Sequence, residues 1–272
     1  MSILDIFPKL KNKLDNNDKI SVAICTPIYG NVANVDFFLC LMRTQKLLDS
    51  VKIENHFYHT KQESLVQRAR NTLVAKALDN KSITHIFFID SDIVWNENDV
   101  LSLLENDLEI VGGIYPKKSL NFEKILNTNE ILNSKNTNEY NKNVSDENFL
   151  KHHLVNYNFN GYENSRIENG IIEVKHLATG FMMIKREVFD KMMIEHPEWE
   201  YLDDSHVPPL NMKFYSFFDC GIKNKQYLSE DWLFCERWCS MGGKVYADVI
   251  IQLTHIGTFF YEGRMLSILD IK

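Results

Sequence analysis

Apolar and polar positions along the chain repeat with two periods. Ile3, Leu4, Ile6, Phe7, Leu10 and Leu14 recur at helical spacing, which predicts a short amphipathic helix over residues 1–17, interrupted near Pro8. Docking on the rest of the protein is its expected role, with subunit pairing or contact with a membrane surface as alternatives. Lys19 to Cys25 reads as a first strand, ended by Thr26-Pro27 and by a turn at Gly30-Asn31. Asn34 or Asp36 caps a helix through Leu48, and Val51 to Phe57 alternates as a second strand. Leu65 to Leu78 repeats as a helix with Leu65, Ala69, Leu73 and Ala77 on one face. His85 to Ile89 is a run of buried-strand character, followed by a helix from Asn96 to Glu105 and a short strand from Glu109 to Tyr115.

The alternation predicts an α/β fold with a mixed, mainly parallel sheet flanked by helices, spanning about residues 18–267. From about 117 to 170 the pattern lapses into Asn, Lys, Glu and Ser with sparse apolar residues, which predicts a flexible polar insertion. Ile171 to His176 and Phe181 to Ile184 resume strand character, Arg186 to Met193 is a helix, and Pro208-Pro209 opens a second polar connection. Phe214 to Asp219 reads as an aromatic strand, Glu230 to Met241 as a helix stopped by Gly242-Gly243, and Lys244 to Asp248 and Ile250 to His255 as closing strands.

Composition narrows the classes. A chain of 272 residues that is 44% hydrophobic can bury one large core, and a net charge of -7 argues against nonspecific nucleic-acid binding. Five scattered cysteines without a CxxC pair read as reduced thiols, and no apolar run reaches membrane-spanning length. The expectation is a soluble protein of the cytoplasm or another intracellular, reducing compartment, with its oligomeric state open.

The candidate chemistry begins where the His85 to Ile89 strand runs into Asp90-Ser91-Asp92. Strand ends of an open α/β sheet are where ligands collect, and two carboxylates one residue apart repel unless a cation lies near them. A divalent metal holding a diphosphate is such a cation. Chance occurrence, or Asp92 as a helix cap, is the plainer alternative. Arg68 and Arg70 cannot point the same way on one helix, so one of them is expected to reach the crevice, to pair with Asp90 or with a diphosphate. Glu230 and Asp231 open a helix, where the macrodipole favours carboxylates whether or not they are catalytic.

Six segments together, Val22 to Pro27, Arg68 to Asn71, Phe88 to Asp92, Thr179 to Ile184, Ser229 to Trp232 and Thr254 to Gly257, resemble the nucleotide-sugar glycosyltransferases of the GT-A fold, family 2-like and DXD-containing, in that family's order. The resemblance implies that Thr26, Pro27 and Tyr29 hold the base and ribose of a nucleoside diphosphate sugar, and that Arg68 or Arg70 with Asp90, Ser91 and Asp92 face the diphosphate. It makes His255 the partner of Asp92 on a cation, with Asp90 as a further ligand or acting indirectly. Such a donor set suits Mn²⁺ over Ca²⁺, with Mg²⁺ as the alternative. It places Thr179, Gly180, Glu230 and Trp232 near the donor sugar and acceptor, and makes Asp231 the base of an inverting transfer. Trp199, Tyr201 and Tyr215 are further stacking candidates or core residues. The helix start would keep Asp231 ionised and so weaken it as a base.

The implied function is metal-dependent transfer of a sugar, a UDP-sugar being the first expectation for the donor, to a hydroxyl of a glycan or glycoconjugate. A noncatalytic sugar- or nucleotide-binding relative and a nucleotidyltransferase are the rivals. The second would want a Gly-rich phosphate loop after the first strand, and Thr26 to Asn31 is not one. The absence of GxGxxG there likewise disfavours a dinucleotide-binding dehydrogenase.

Overall fold

The two-residue alternation that makes a strand also sorts its side chains to opposite faces, and here both faces are apolar. Val22 and Ile24 face one core and Ala23 and Cys25 the other, and Phe87 and Ile89 part from Ile86 and Phe88 in the same way. Helices Val66–Asp79, Arg186–Glu195 and Glu230–Ser240 cover one face, and Pro8–Asp15, Val35–Ser50 and Glu97–Asn106 cover the other. The computed structural model describes residues 2–30, 32–135, 141, 143–203, 212–257 and 260–268. Pro208-Pro209 and part of the polar insertion lie outside them.

The central sheet runs in the order Glu54–Lys61, Ser21–Ile28, His85–Ile89, Phe181–Lys185, Ile110–Gly113, Val245–Asp248, Ile171–Leu177, Phe159–Gly161, with Ile167–Glu168 also on Ile171–Leu177. The first three of these strands are mutually parallel, as are Ile110–Gly113 and Val245–Asp248. Phe181–Lys185 runs antiparallel between the two groups. This is the mixed, helix-flanked, Rossmann-like α/β sheet that the alternation predicts.

Several bounds differ from the sequence expectations, each for a local reason. The first strand continues through Pro27 to Ile28, because its pairing with His85–Ile89 ends at Cys25 and leaves that side free of a ladder that the missing proline N–H would break. The second strand starts at Glu54, because Val51 closes the preceding helix and Lys52 turns the chain with φ 61°. Asn96 caps the helix that follows the Asp-x-Asp segment, with Asp99 completing the capping box, so Asp92 is not a cap. Phe214 to Asp219 is a strand only at Phe214–Tyr215. Beyond it, Asn71 holds Phe218 like a paired strand would, donating to its carbonyl at 2.8 Å and accepting from its N–H at 2.9 Å.

The amino-terminal helix lies on Glu97–Asn106, with Leu10 buried and the Glu105 carboxylate accepting from the N–H groups of Lys9 and Leu10. The polar stretch after residue 116 also has more structure than its thin pattern predicts. Pro116–Leu120 pairs with Val155–Tyr157, and Phe149, Val155 and Tyr157 are buried. A few well-spaced apolar side chains are enough to order a segment when a neighbouring sheet receives them. No helix among the described residues is long and apolar enough to cross a membrane.

Replacing Asn71 tests how far the 214–219 segment depends on it. Asn71→Ala would strand a buried N–H and a buried carbonyl, at about 1–3 kcal/mol for each group left unsatisfied. Denaturant unfolding should show a loss of this size, and a loss below the error of the fit would contradict the assignment.

Candidate functional site

Parallel strands that end together leave a crevice at their carboxyl ends, and the charged residues of the chain converge there. Asp90 directly follows the strand His85–Ile89, and its N–H donates to the carbonyl of Gly180 at 3.0 Å. Arg70, one turn into its helix, is buried beneath this strand end. Its Nη2 donates to Asp90 at 3.1 Å, its Nε donates to Glu230 at 3.1 Å, and the guanidinium lies 5.5 Å from the Phe88 ring centroid. Burial opposes its charge, but Asp90 and Glu230 outweigh that and raise its pKa. Its Nη1 has no hydrogen-bond partner among the described residues. Arg68 points away, to Glu63 at 2.7 Å.

Asp92 and His255 meet through a device that the sequence pattern does not reveal. The two-residue strand Ile93–Val94 pairs antiparallel with Gln252–Ile256, with His255 opposite Ile93, and the Ile256 N–H donates to the Asp92 carbonyl at 2.7 Å. His255 Nε2 then stands 3.5 Å from Asp92 Oδ2. The other ring nitrogen, Nδ1, lies 2.8 Å from the Pro116 carbonyl. A carbonyl only accepts, so Nδ1 carries the proton and Nε2 is left to face Asp92, the tautomer that a metal-binding imidazole requires.

Lys118 also reaches Asp92, donating a short hydrogen bond to Oδ2. Burial would raise the Asp92 pKa, but His255, when a second proton sits on Nε2, and Lys118 hold it below the ordinary value; a cation would take the place of that second proton. Lys118 lies in the polar stretch after residue 116, where composition offers no sign of a site residue.

Asp231 is buried at the start of its helix. Ser229, in the cap position, turns its hydroxyl onto Asp231 rather than onto the helix backbone, and the Trp232 N–H donates to the same oxygen at 2.8 Å. Burial first, and then repulsion from Glu230, raises the Asp231 pKa against the opposing effect of Ser229, Arg70 and the Trp232 N–H. Against the expectation that the helix start weakens Asp231 as a base stand its burial and its neighbour Glu230, both of which raise its pKa.

Other predicted residues divide. Pro27, Tyr29, Asp90, Ser91 and Asp92 line one cavity of about 250 Å³ together with Glu63 and Val66. Thr26 and Thr179 are buried, and among the described residues their hydroxyls have no hydrogen-bond partner. Gly180 is close to a side chain rather than to open space, since a Cβ there would stand 2.6 Å from the Tyr115 hydroxyl. Tyr115 is a residue that the sequence reading missed: burial raises its pKa well above the usual value, and the charges of Asp90 and Asp231 add to this. Trp232 stacks on His176 with ring centroids 4.7 Å apart, and Trp199 carries His196 at 4.0 Å and the Arg237 guanidinium at 4.4 Å. Tyr215 is core, and Tyr201 pairs beside it on the strand Glu200–Tyr201.

The donor set can be weighed against a metal. Among the described residues, no group of three or more His, Cys, Asp or Glu side chains could hold a metal ion. One carboxylate and one imidazole fit a borderline cation that brings its remaining oxygen ligands with it, and do not fit a cation caged by protein alone.

No family model matches the sequence, and no curated protein matches it. Among solved structures the chain is similar to one described as the crystal structure of A197 from STIV, at 16% identity and a TM-score of 0.45, over 88% of this chain and 86% of that one. A likeness so distant carries no argument about chemistry.

Proposed function

We propose that the protein is a metal-dependent glycosyltransferase, moving a sugar from a nucleoside diphosphate donor, a UDP-sugar first, to a hydroxyl of a glycan or glycoconjugate with inversion. The observation that carries this is His255 Nε2 facing Asp92 on a ring whose Nδ1–H is committed to Pro116. An imidazole fixed in that tautomer beside a strand-end carboxylate is suited to a shared cation, Mn²⁺ or Mg²⁺, completed by diphosphate oxygens. When bound, that cation would neutralise the charge gathering on the leaving diphosphate.

The chain's own residues support the remaining steps. Tyr29, exposed at the cavity mouth, is suited to stacking on a base, and Pro27 and Ser91 line the same space. Arg70 holds Asp90 and Glu230 in place through one hydrogen-bonded guanidinium. Asp231, with its pKa raised, takes the proton from the acceptor hydroxyl as that oxygen attacks the anomeric carbon. The bond to the diphosphate breaks on the opposite face, so the anomeric configuration inverts. Tyr115 is buried against Gly180 beside this region.

Two protein donors hold a cation weakly, so the account predicts that Mn²⁺ binds tightly only together with UDP. Calorimetry should show ternary binding lost in Asp92→Ala and His255→Ala. Lys118 occupies Asp92 in competition with a cation, so Lys118→Met should strengthen binding of Mn²⁺ alone by up to about fivefold, the scale of a half-exposed ion pair. Unchanged affinity in all three variants would contradict the site.

Asp231→Asn should leave donor binding intact while transfer falls by roughly two to four orders of magnitude, the scale of losing a positioned base. Because the base works deprotonated and its pKa is raised, kcat/KM should climb with pH through a limb above the ordinary carboxylate range. Glu230→Gln removes a charge that raises that pKa, so the limb should move to lower pH. Near-normal transfer in Asp231→Asn, or a limb moved upward in Glu230→Gln, would show that Asp231 is not the base.

A further inference from the structure

One oxygen of Asp92 has two claimants. His255 Nε2 stands 3.5 Å from Oδ2, and the Lys118 ammonium donates its short hydrogen bond to that same Oδ2. Asp92 and His255 can share a cation only through the oxygen that faces the imidazole. An ammonium and a metal ion cannot sit on it together, because like charges so close repel. Lys118 therefore has to leave Oδ2 before the pair can serve as ligands.

The strand that carries Lys118 does not leave with it. Pro116, two residues earlier, accepts from His255 Nδ1 at 2.8 Å and pairs with Tyr157, and Leu120, two residues later, pairs with Val155. Tyr157 and Val155 are buried, so both ends of the strand are anchored. Between these two pairs the register shifts, and the Lys118 side chain is 38% exposed. Its four-carbon stem is thus free to swing about a fixed backbone. Asp92 is its one ion-pair partner among the described residues, and the neighbouring Asp90 is already taken by Arg70. The ammonium has no second carboxylate to move to, and the new anion that a bound nucleotide brings beside Asp92 is its diphosphate.

We propose that Lys118 couples the two ligands of the site. It donates to a diphosphate oxygen when the nucleotide is bound and so gives up Asp92 Oδ2, which opens that carboxylate to a cation only beside a diphosphate. By linkage each ligand then favours the other to the same extent. On the diphosphate the ammonium also places a positive charge where the leaving group gathers negative charge. The coupling rests on the transferase reading, from which the nucleotide and the cation come.

The test compares the wild-type chain with Lys118→Met and Lys118→Arg. UDP and uridine are titrated in EDTA and followed by amide NMR shifts, and Mn²⁺ binding without nucleotide is read from the EPR signal of the free ion. In EDTA, Lys118→Met should bind UDP up to about fivefold more weakly, the scale of a half-exposed ion pair. It should bind uridine as the wild type does, since uridine has no phosphate for the ammonium to meet. The same variant should bind Mn²⁺ alone more tightly, so the two effects have opposite signs, whereas a distorted site would weaken both. Lys118→Arg keeps a cation on the strand and should keep UDP affinity close to wild type. UDP binding in EDTA that is unchanged in Lys118→Met, or weakened together with uridine binding, would overturn the coupling and leave the transferase reading standing. A wild-type chain that binds neither UDP nor uridine, with or without Mn²⁺, would remove that reading and the coupling with it.

Discussion

A buried guanidinium holds the site together. Arg70 carries a full positive charge in a place that water scarcely reaches, and it stays charged because Asp90 and Glu230 bracket it from two other elements. The three residues come from a helix, a strand end and a second helix start, so one ion network fixes the angles between elements 20 and 160 residues apart in sequence. Breaking such a network on one side leaves an unpaired buried charge, at about 3–5 kcal/mol. This constraint also explains the character of Asp231: the neighbouring Glu230 is neutralised only in part, and the remaining repulsion adds to burial in making Asp231 a stronger base.

The same economy of contacts brings Asp92 and His255 together. A turn at Ser91 and Asp92 leads into a strand only two residues long, yet its pairing with Gln252–Ile256 is sufficient to bring His255 across from a distant part of the chain. Pro116 then fixes the ring tautomer, and Lys118 neutralises Asp92. Both belong to Pro116–Leu120, so the strand that opens the polar stretch also supports the site.

The sheet and its helices were legible because alternation and helical spacing are local properties, and the strand His85–Ile89 ends where its apolar run ends. Candidate residues for a site were legible where a motif coincides with such a boundary, as at Asp90, Asp92 and Asp231. What could not be read depends on partners far away in sequence. Tyr115 resembles any core tyrosine until Gly180 and the surrounding charges are in place. Lys118 resembles a solvated lysine until its strand pairs, and which of Arg68 and Arg70 turns inward is decided by Glu63 and Glu230. Asn71 stands inside a recognisable segment, but its role as a clamp on Phe218 appears only in the fold.

The central claim is that Asp92 and His255 share one cation with a nucleotide diphosphate. Paramagnetic broadening of backbone amide signals by Mn²⁺ tests it directly, because the effect falls steeply with distance from the metal and needs no turnover. With UDP present, the account predicts that substoichiometric Mn²⁺ broadens the amides of Ser91, Asp92, His255 and Ile256 before others, and that without UDP the same metal leaves them sharp. Broadening centred elsewhere, or equal with and without UDP, would contradict it.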